Sequence, residues 1–296
     1  MPTHVVLAVA AAASWGASDF LGGVAGRRSS GQAVAFVSQM VGLFALAAAA
    51  LFVAGSPTAG DLAWGLGAGV GGAAGVALLY HGLAIGQMSV VAPVTAVGGA
   101  AIPVVFGLVT GERPPVAALA GVGLALAAVA VLCVSPPHED GRTESAGSAG
   151  GPVAVRRRDT LQAGLVAGLL SGAGFGVFFI CVERAGSGAG LWPLVAARVS
   201  SVTVLGVVVA ATGGLVLSRR DGPLIVVVGL LDVLANVGYL LATRRGPLSI
   251  VALLASLYPA VTVLMARFLL GERLSTAQRA GLAAAGAAVG IIALSS

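Results

Sequence analysis

The sequence predicts an all-α, polytopic membrane protein of about ten transmembrane helices arranged as two inverted five-helix repeats. Three observations carry that expectation. First, only 9% of the 296 residues are charged and 58% are hydrophobic, with a mean hydropathy of +1.02. A soluble domain carries about a quarter charged residues, and so few charges could not cover a water-soluble fold of this size. Second, the apolar residues come in blocks of about 20, the length that crosses about 30 Å of hydrocarbon at 1.5 Å per residue. Third, the second half of the chain repeats features of the first at an offset of 160 positions. Open strands cannot span lipid, because their backbone groups go unpaired, and no alternating barrel pattern is present.

Polar punctuation places ten apolar segments at about 4–26, 32–54, 61–80, 88–109, 115–134, 160–182, 190–212, 222–241, 247–270 and 275–294. The breaks are short hinges such as Arg27-Arg28-Ser29-Ser30-Gly31, Gly55-Ser56-Pro57, Gly111-Glu112-Arg113-Pro114-Pro115 and Arg219-Arg220-Asp221-Gly222-Pro223. Short connections make sequential helices antiparallel neighbours. No basic n-region precedes the first block, which is therefore expected to remain as a span. Residues 136–159 are polar, rich in Gly, Pro and Ser, and nearly without large apolar side chains. Such a segment cannot bury enough surface to fold and reads as a flexible aqueous linker. It separates a first five-helix repeat, 1–135, from a second, 160–296.

The offset places Gly86, Ser89, Val91 and Ala92 on Gly246, Ser249, Val251 and Ala252, and Ala120-Gly121 on Ala280-Gly281. Matches of Ala and Val carry little weight in so biased a composition. Gly111-Glu112-Arg113 falling on Gly271-Glu272-Arg273, between two apolar blocks, carries more. Five crossings per half put the second half upside down relative to the first. Two similar, inverted halves can exchange conformations and open a central site to one side and then the other, which is how many transporters work.

Charge excludes several other classes. The formal net charge is +5, yet the basic residues sit in hinges between apolar blocks and not on one soluble face. They read as topology signals, and no nucleic-acid partner is expected. All sixteen are Arg, a bias expected of a GC-rich genome. Cys133 and Cys181 lie inside apolar segments, so neither a disulfide nor a zinc framework is expected. The three histidines, His4, His81 and His138, form no HExxH pattern, and no paired acidic motif suits a metal–diphosphate site. An enzyme is therefore not expected, and neither cofactor nor metal is implied.

Three further features bear on family. The first helix reads Ser14-Trp15-Gly16-Ala17-Ser18-Asp19-Phe20, the fourth and ninth segments both end in Gly-Glu-Arg, and the whole chain has a five-plus-five layout. In these the sequence resembles the drug/metabolite transporter superfamily, specifically its ten-helix branch with two EamA-type repeats. The resemblance implies facilitated or proton-coupled export of amino acids, metabolites or small drugs through a central cavity in a bacterial cytoplasmic membrane. The partners implied are a small-molecule substrate, the lipid bilayer and protons as coupling ion; oligomeric state is not implied. A lipid-linked sugar flippase of the same superfamily and a non-transporting sensor or scaffold are the alternative readings. Gln39 stands where many relatives place a basic residue, whereas the seventh segment retains Arg198. Arg counting leans toward both termini outside, whereas the resemblance implies both in the cytoplasm.

Asp19 and Asp232 are the acidic residues well inside apolar segments. An Asp at a helix centre costs roughly 2.5–3.5 kcal/mol on insertion scales, against about −0.5 for each Leu or Ile. Each carboxylate is therefore expected to face a cavity or a partner and not lipid. Ser14, Trp15, Ser18, Asp19 and Gly22 project within roughly 140° of helix surface, and Asp232, Asn236 and Tyr239 within about 60°. Two polar stripes facing one cavity would supply hydrogen bonds and a titratable acid; mutual satisfaction between helices is the bland alternative. Arg198 either snorkels to the interface, binds an anionic group or pairs with a membrane carboxylate. Gln39 and Trp15 complete the candidate substrate- or proton-binding residues. Pro93, Pro103 and Pro259 are expected to kink or break their helices, and both Gly-Glu-Arg motifs to fix interfacial turns. The Gly65–Gly72 cluster signals close helix approach and not a phosphate loop.

Overall fold

A computed structural model describes residues 2–85, 88–133, 153–271 and 274–295. Eleven α-helices occur among them: α1 (Thr3–Ala25), α2 (Gly31–Phe52), α3 (Ala59–Ile85), α4 (Met88–Val109), α5 (Val116–Cys133), α6 (Val153–Arg184), α7 (Trp192–Thr212), α8 (Gly222–Thr243), α9 (Leu248–Ala255), α10 (Tyr258–Leu269) and α11 (Thr276–Ser295). Eight segments are long and apolar enough to cross a membrane, α9 and α10 counting as one, and Val94–Val109 and Val116–Leu132 are shorter apolar helices. The fold is all-helical and follows the expected ten-segment, two-repeat plan.

Two elements differ from the reading of the sequence. Of the expected linker, 136–152 lie outside the described residues, whereas 153–159 belong to α6. Between Pro152 and Gly164 no Gly or Pro interrupts helical hydrogen bonding, so the helix runs past its apolar part. The ninth segment is two helices, parted at Ser256 and Leu257. Pro259, in the first turn of α10, has no N–H to give the Ala255 carbonyl, and there a proline is tolerated as a helix start. Its counterpart α4 runs unbroken although it contains Pro93 and Pro103. The expected interruption is therefore present in one half only.

The chain's course defines two faces. The first carries the N-terminus of α1, the loops after α2, α4, α6 and α8, and the end of α11; the second carries the loops after α1, α7 and α10. Helices of each half rest mainly on the other half. α6 receives α3 and α4, and α1 receives α8 with α9 and α10; α3 lies on α7 as α8 lies on α2; α5 meets α11. Exchanging the halves returns the same set of pairings. Small residues make these approaches possible: a Cβ on Gly174 of α6 would lie 2.7 Å from the Gly71 carbonyl oxygen and 2.8 Å from the Gly75 nitrogen of α3.

The loops repeat the symmetry. On the first face Asp61 accepts from the Gly186 N–H at 2.7 Å and the Thr58 N–H at 2.8 Å, tying the start of α3 to the α6–α7 loop. On the second face Asp221, 160 positions later, accepts from the Ser29 hydroxyl at 2.8 Å and pairs with Arg28 at 3.5 Å, tying the start of α8 to the α1–α2 loop. Glu112 does more than shape a turn. It accepts from the backbone N–H of Leu248 at 2.6 Å and Ser249 at 3.0 Å, capping α9 from the opposite half. All eight residues of α9 are buried, so these first-turn N–H groups have little water to turn to. Gly111 and Gly271, the glycines of the two repeated motifs, have φ of 103° and 71°, which explains why glycine recurs there. Glu272 and Arg273 lie outside the described residues.

Because the Gly174 contact is backbone on backbone, Gly174→Ala is expected to destabilise by about 1–3 kcal/mol through overpacking. Gly286→Ala, with open space around the added methyl, serves as the neutral control. Thermal unfolding of the two purified variants in one detergent checks this; equal melting temperatures would refute the close-approach role.

Candidate functional site

A cavity of about 610 Å³ lies between the halves, walled by α1, α2, α3, α4, α6, α7 and α8 and by Ser256 and Tyr258 at the break between α9 and α10. Its lining reaches Gly26 and Arg27 in the loop of the second face and includes no loop residue of the first. The cavity is thus continuous with one face, while Glu112, Asp61 and Arg244, whose guanidinium donates to the Gly190 carbonyl at 2.8 Å, tie the other together.

Asp232 is the hub. Trp15 of α1 donates its indole N–H to Asp232 Oδ1 at 3.0 Å, and Asn236, one turn on in α8, donates its amide to the same oxygen at 3.2 Å. Arg198 of α7 donates through Nη2 to Asp232 Oδ2 and through Nη1 to Gln39 Oε1 of α2. Gln39 Oε1 also accepts from the Ser201 hydroxyl at 3.2 Å. Four helices therefore meet on one ion pair. The Arg198 side chain is 7% exposed and that of Asp232 21%, so the arginine is an internal counter-charge and does not snorkel to the interface. Among the three roles open to Arg198 in the sequence, the structure has the pairing with a membrane carboxylate.

Trp15 is set by an aromatic cluster. Its ring meets Phe179 edge-on at 5.7 Å and Phe178 at 6.4 Å, and Phe179 in turn stands 4.8 Å from Tyr239. Tyr239 is fully buried, donates its hydroxyl to the Phe179 carbonyl at 3.1 Å, and is not on the cavity wall. The i+7 spacing from Asp232 puts it on the same side of α8, one layer behind the tryptophan. Asp19 differs from all of these. It lies on the wall, is exposed to the cavity, and makes no hydrogen bond or ion pair among the described residues.

Six of the seven sequence candidates, Trp15, Asp19, Gln39, Arg198, Asp232 and Asn236, therefore line one cavity. Sequence reading missed Phe175, Phe178 and Phe179, which also line it. Their i, i+3, i+4 spacing on α6 was a visible signal of one aromatic face. Among the described residues, no three of His, Cys, Asp or Glu converge on a metal-sized site.

An interleaved, inverted-repeat helical fold around a largely apolar cavity that holds a few charged side chains and opens to one face is an architecture of membrane transporters. The chain belongs to the EamA-like transporter family, whose model matches residues 3–134 and 162–294. Membership makes it an integral membrane transporter of the drug/metabolite transporter superfamily. A solved crystal structure superposes with a TM-score of 0.72 at 16% identity, covering 98% of this chain and 96% of that one, a likeness of fold. No curated protein matches the chain.

Removing Asp232 leaves a buried guanidinium uncompensated. Asp232→Ala is expected to cost on the order of 3–5 kcal/mol, and Arg198→Met with Asp232→Leu together much less, because charge and partner leave as a pair. Asp19→Asn, which breaks no hydrogen bond or ion pair among the described residues, is expected to unfold at nearly the wild-type temperature. Melting curves of the three variants test this, and an Asp232→Ala protein as stable as wild type would remove the ion pair from the account.

Proposed function

We propose that the chain exports a small organic molecule by alternating access, exchanging it for a proton at Asp19. The observation that carries this reading is the carboxylate of Asp19, without a hydrogen-bond or ion-pair partner among the described residues, on the wall of a cavity open to one face. The sequence points to Asp232 at least as strongly, but its carboxylate already receives Trp15, Asn236 and Arg198. A group that must take up and release a proton in each cycle works with least rearrangement when no donor occupies it. Desolvation and the field of a neighbouring charge then govern its proton affinity. Similar halves joined by equivalent loop ties on both faces support an exchange in which one face opens as the other closes. A proton gradient drives such an exchanger in the direction of export.

The test uses the full chain in proteoliposomes holding a pH-sensitive dye, with a panel of amino acids, metabolites and small drugs added outside. At least one member should produce proton movement above that of protein-free vesicles. Asp19→Asn should reduce that movement at least tenfold while inserting normally, and undiminished movement in the folded variant would refute the assignment.

A further inference from the structure

Among the described residues the charges on the cavity wall are Asp19, Asp232, Arg198 and, at the rim, Arg27. Arg198 and Asp232 neutralise each other. Both terminal nitrogens of Arg198 are engaged, Nη1 by Gln39 and Nη2 by Asp232, and its side chain is 7% exposed. Little of the guanidinium is thus presented to the carboxylate of a ligand. Arg27 stands eight residues beyond Asp19, about 12 Å along a helix at 1.5 Å per residue, and is exposed outside the end of α1. Among the described residues the interior therefore holds one charge without an ion-pair partner, and it is negative.

The rest of the wall is apolar and aromatic. Trp15 is one turn from Asp19 on α1, and Phe175, Phe178 and Phe179 of α6 and Tyr258 at the start of α10 share the cavity with it. Ring faces attract cations as well as apolar bodies, most strongly where water is excluded. The polar groups that remain are mostly satisfied by the protein itself: Ser18 donates to the Val228 carbonyl at 3.1 Å, Ser201 to Gln39 at 3.2 Å, and Ser256 to the Ala252 carbonyl at 2.7 Å.

From this inventory we infer that the preferred substrates are lipophilic organic monocations, aromatic amines without a carboxylate, held by Asp19 through their ammonium group and by the aromatic wall through their ring. Zwitterionic amino acids are disfavoured, because the guanidinium that would take their carboxylate is ion-paired with Asp232 and nearly buried. The inference rests on the cavity being the transport site and names the chemistry that site selects. It is consistent with exchange at Asp19, where an ammonium and a proton compete for one carboxylate.

Three ligands that share one ring and chain length isolate charge: 2-phenylethylammonium, 3-phenylpropionate and phenylalanine. Isothermal titration into the purified full-length protein in detergent, with protein-free micelles subtracted, should give the ammonium at least tenfold tighter binding than either of the others. Asp19→Asn should lose at least tenfold in affinity for the ammonium, and Asp19→Glu should retain most of it. Equal or tighter binding of the carboxylate or of phenylalanine overturns the inference. So does ammonium affinity within twofold of wild type in a folded Asp19→Asn protein. The transport reading is separated by uptake of radiolabelled phenethyltrimethylammonium into proteoliposomes under an imposed pH gradient, because exchange of a monocation for one proton moves no net charge. Asp19-dependent binding without uptake above protein-free vesicles would overturn transport and leave the charge preference standing. Transport of other solutes with no ammonium binding would overturn the preference alone.

Discussion

A guanidinium inside an apolar helix bundle must be compensated where it lies, and this requirement at Arg198 organises the centre of the molecule. Stripping water from an isolated charge costs far more than a domain's whole stability margin. The arginine therefore draws Asp232 from α8 and Gln39 from α2, and Asp232 draws Trp15 from α1. Those contacts fix the mutual positions of the four helices that carry most of the polar wall. They also decide which acid is left over. Once Asp232 is occupied, Asp19 is the interior charge without a partner among the described residues.

Around that centre the halves are not separate bodies. α3 lies against α6 and α7, and its counterpart α8 lies against α1 and α2. In lipid no hydrophobic force drives helices together, so van der Waals contact between close backbones must do so. Gly71 and Gly75 facing Gly174 provide that closeness. Asp61 and Asp221 then pin the first helix of each opposing half at its loop, each by the same logic on opposite faces. Glu112 adds a tie that crosses from one half to the buried start of α9 in the other.

Much of this was legible in the sequence because a membrane imposes one strict rule. A span must be about 20 apolar residues, so the segments announce themselves, and an Asp within one is conspicuous. Asp19, Asp232, Arg198, Gln39, Trp15 and Asn236 were found on that ground and do share a cavity. Helical projection gives the side of a helix a residue faces but not what stands opposite. It could not tell that Arg198 would reach Asp232 and spare Asp19, nor that Tyr239 would sit behind Trp15. Pro259 marked a true break, yet Pro103 in the counterpart helix did not, since α4 continues through it. Asp61 and Asp221 share the 160-residue offset but sit where apolar segments begin, where a carboxylate is ordinary. Their cross-half bonds depend on loops that the sequence does not place.

The interleaving has a consequence for how the protein is made. α1 packs on α8, which the ribosome completes roughly 200 residues later. At about 5–20 residues per second that is an interval on the order of ten to forty seconds. Throughout it the surface of α1 that receives α8 is without that native neighbour. Assembly of this transporter is thus a matter of holding the first five helices in the bilayer without their main partners until the last five arrive.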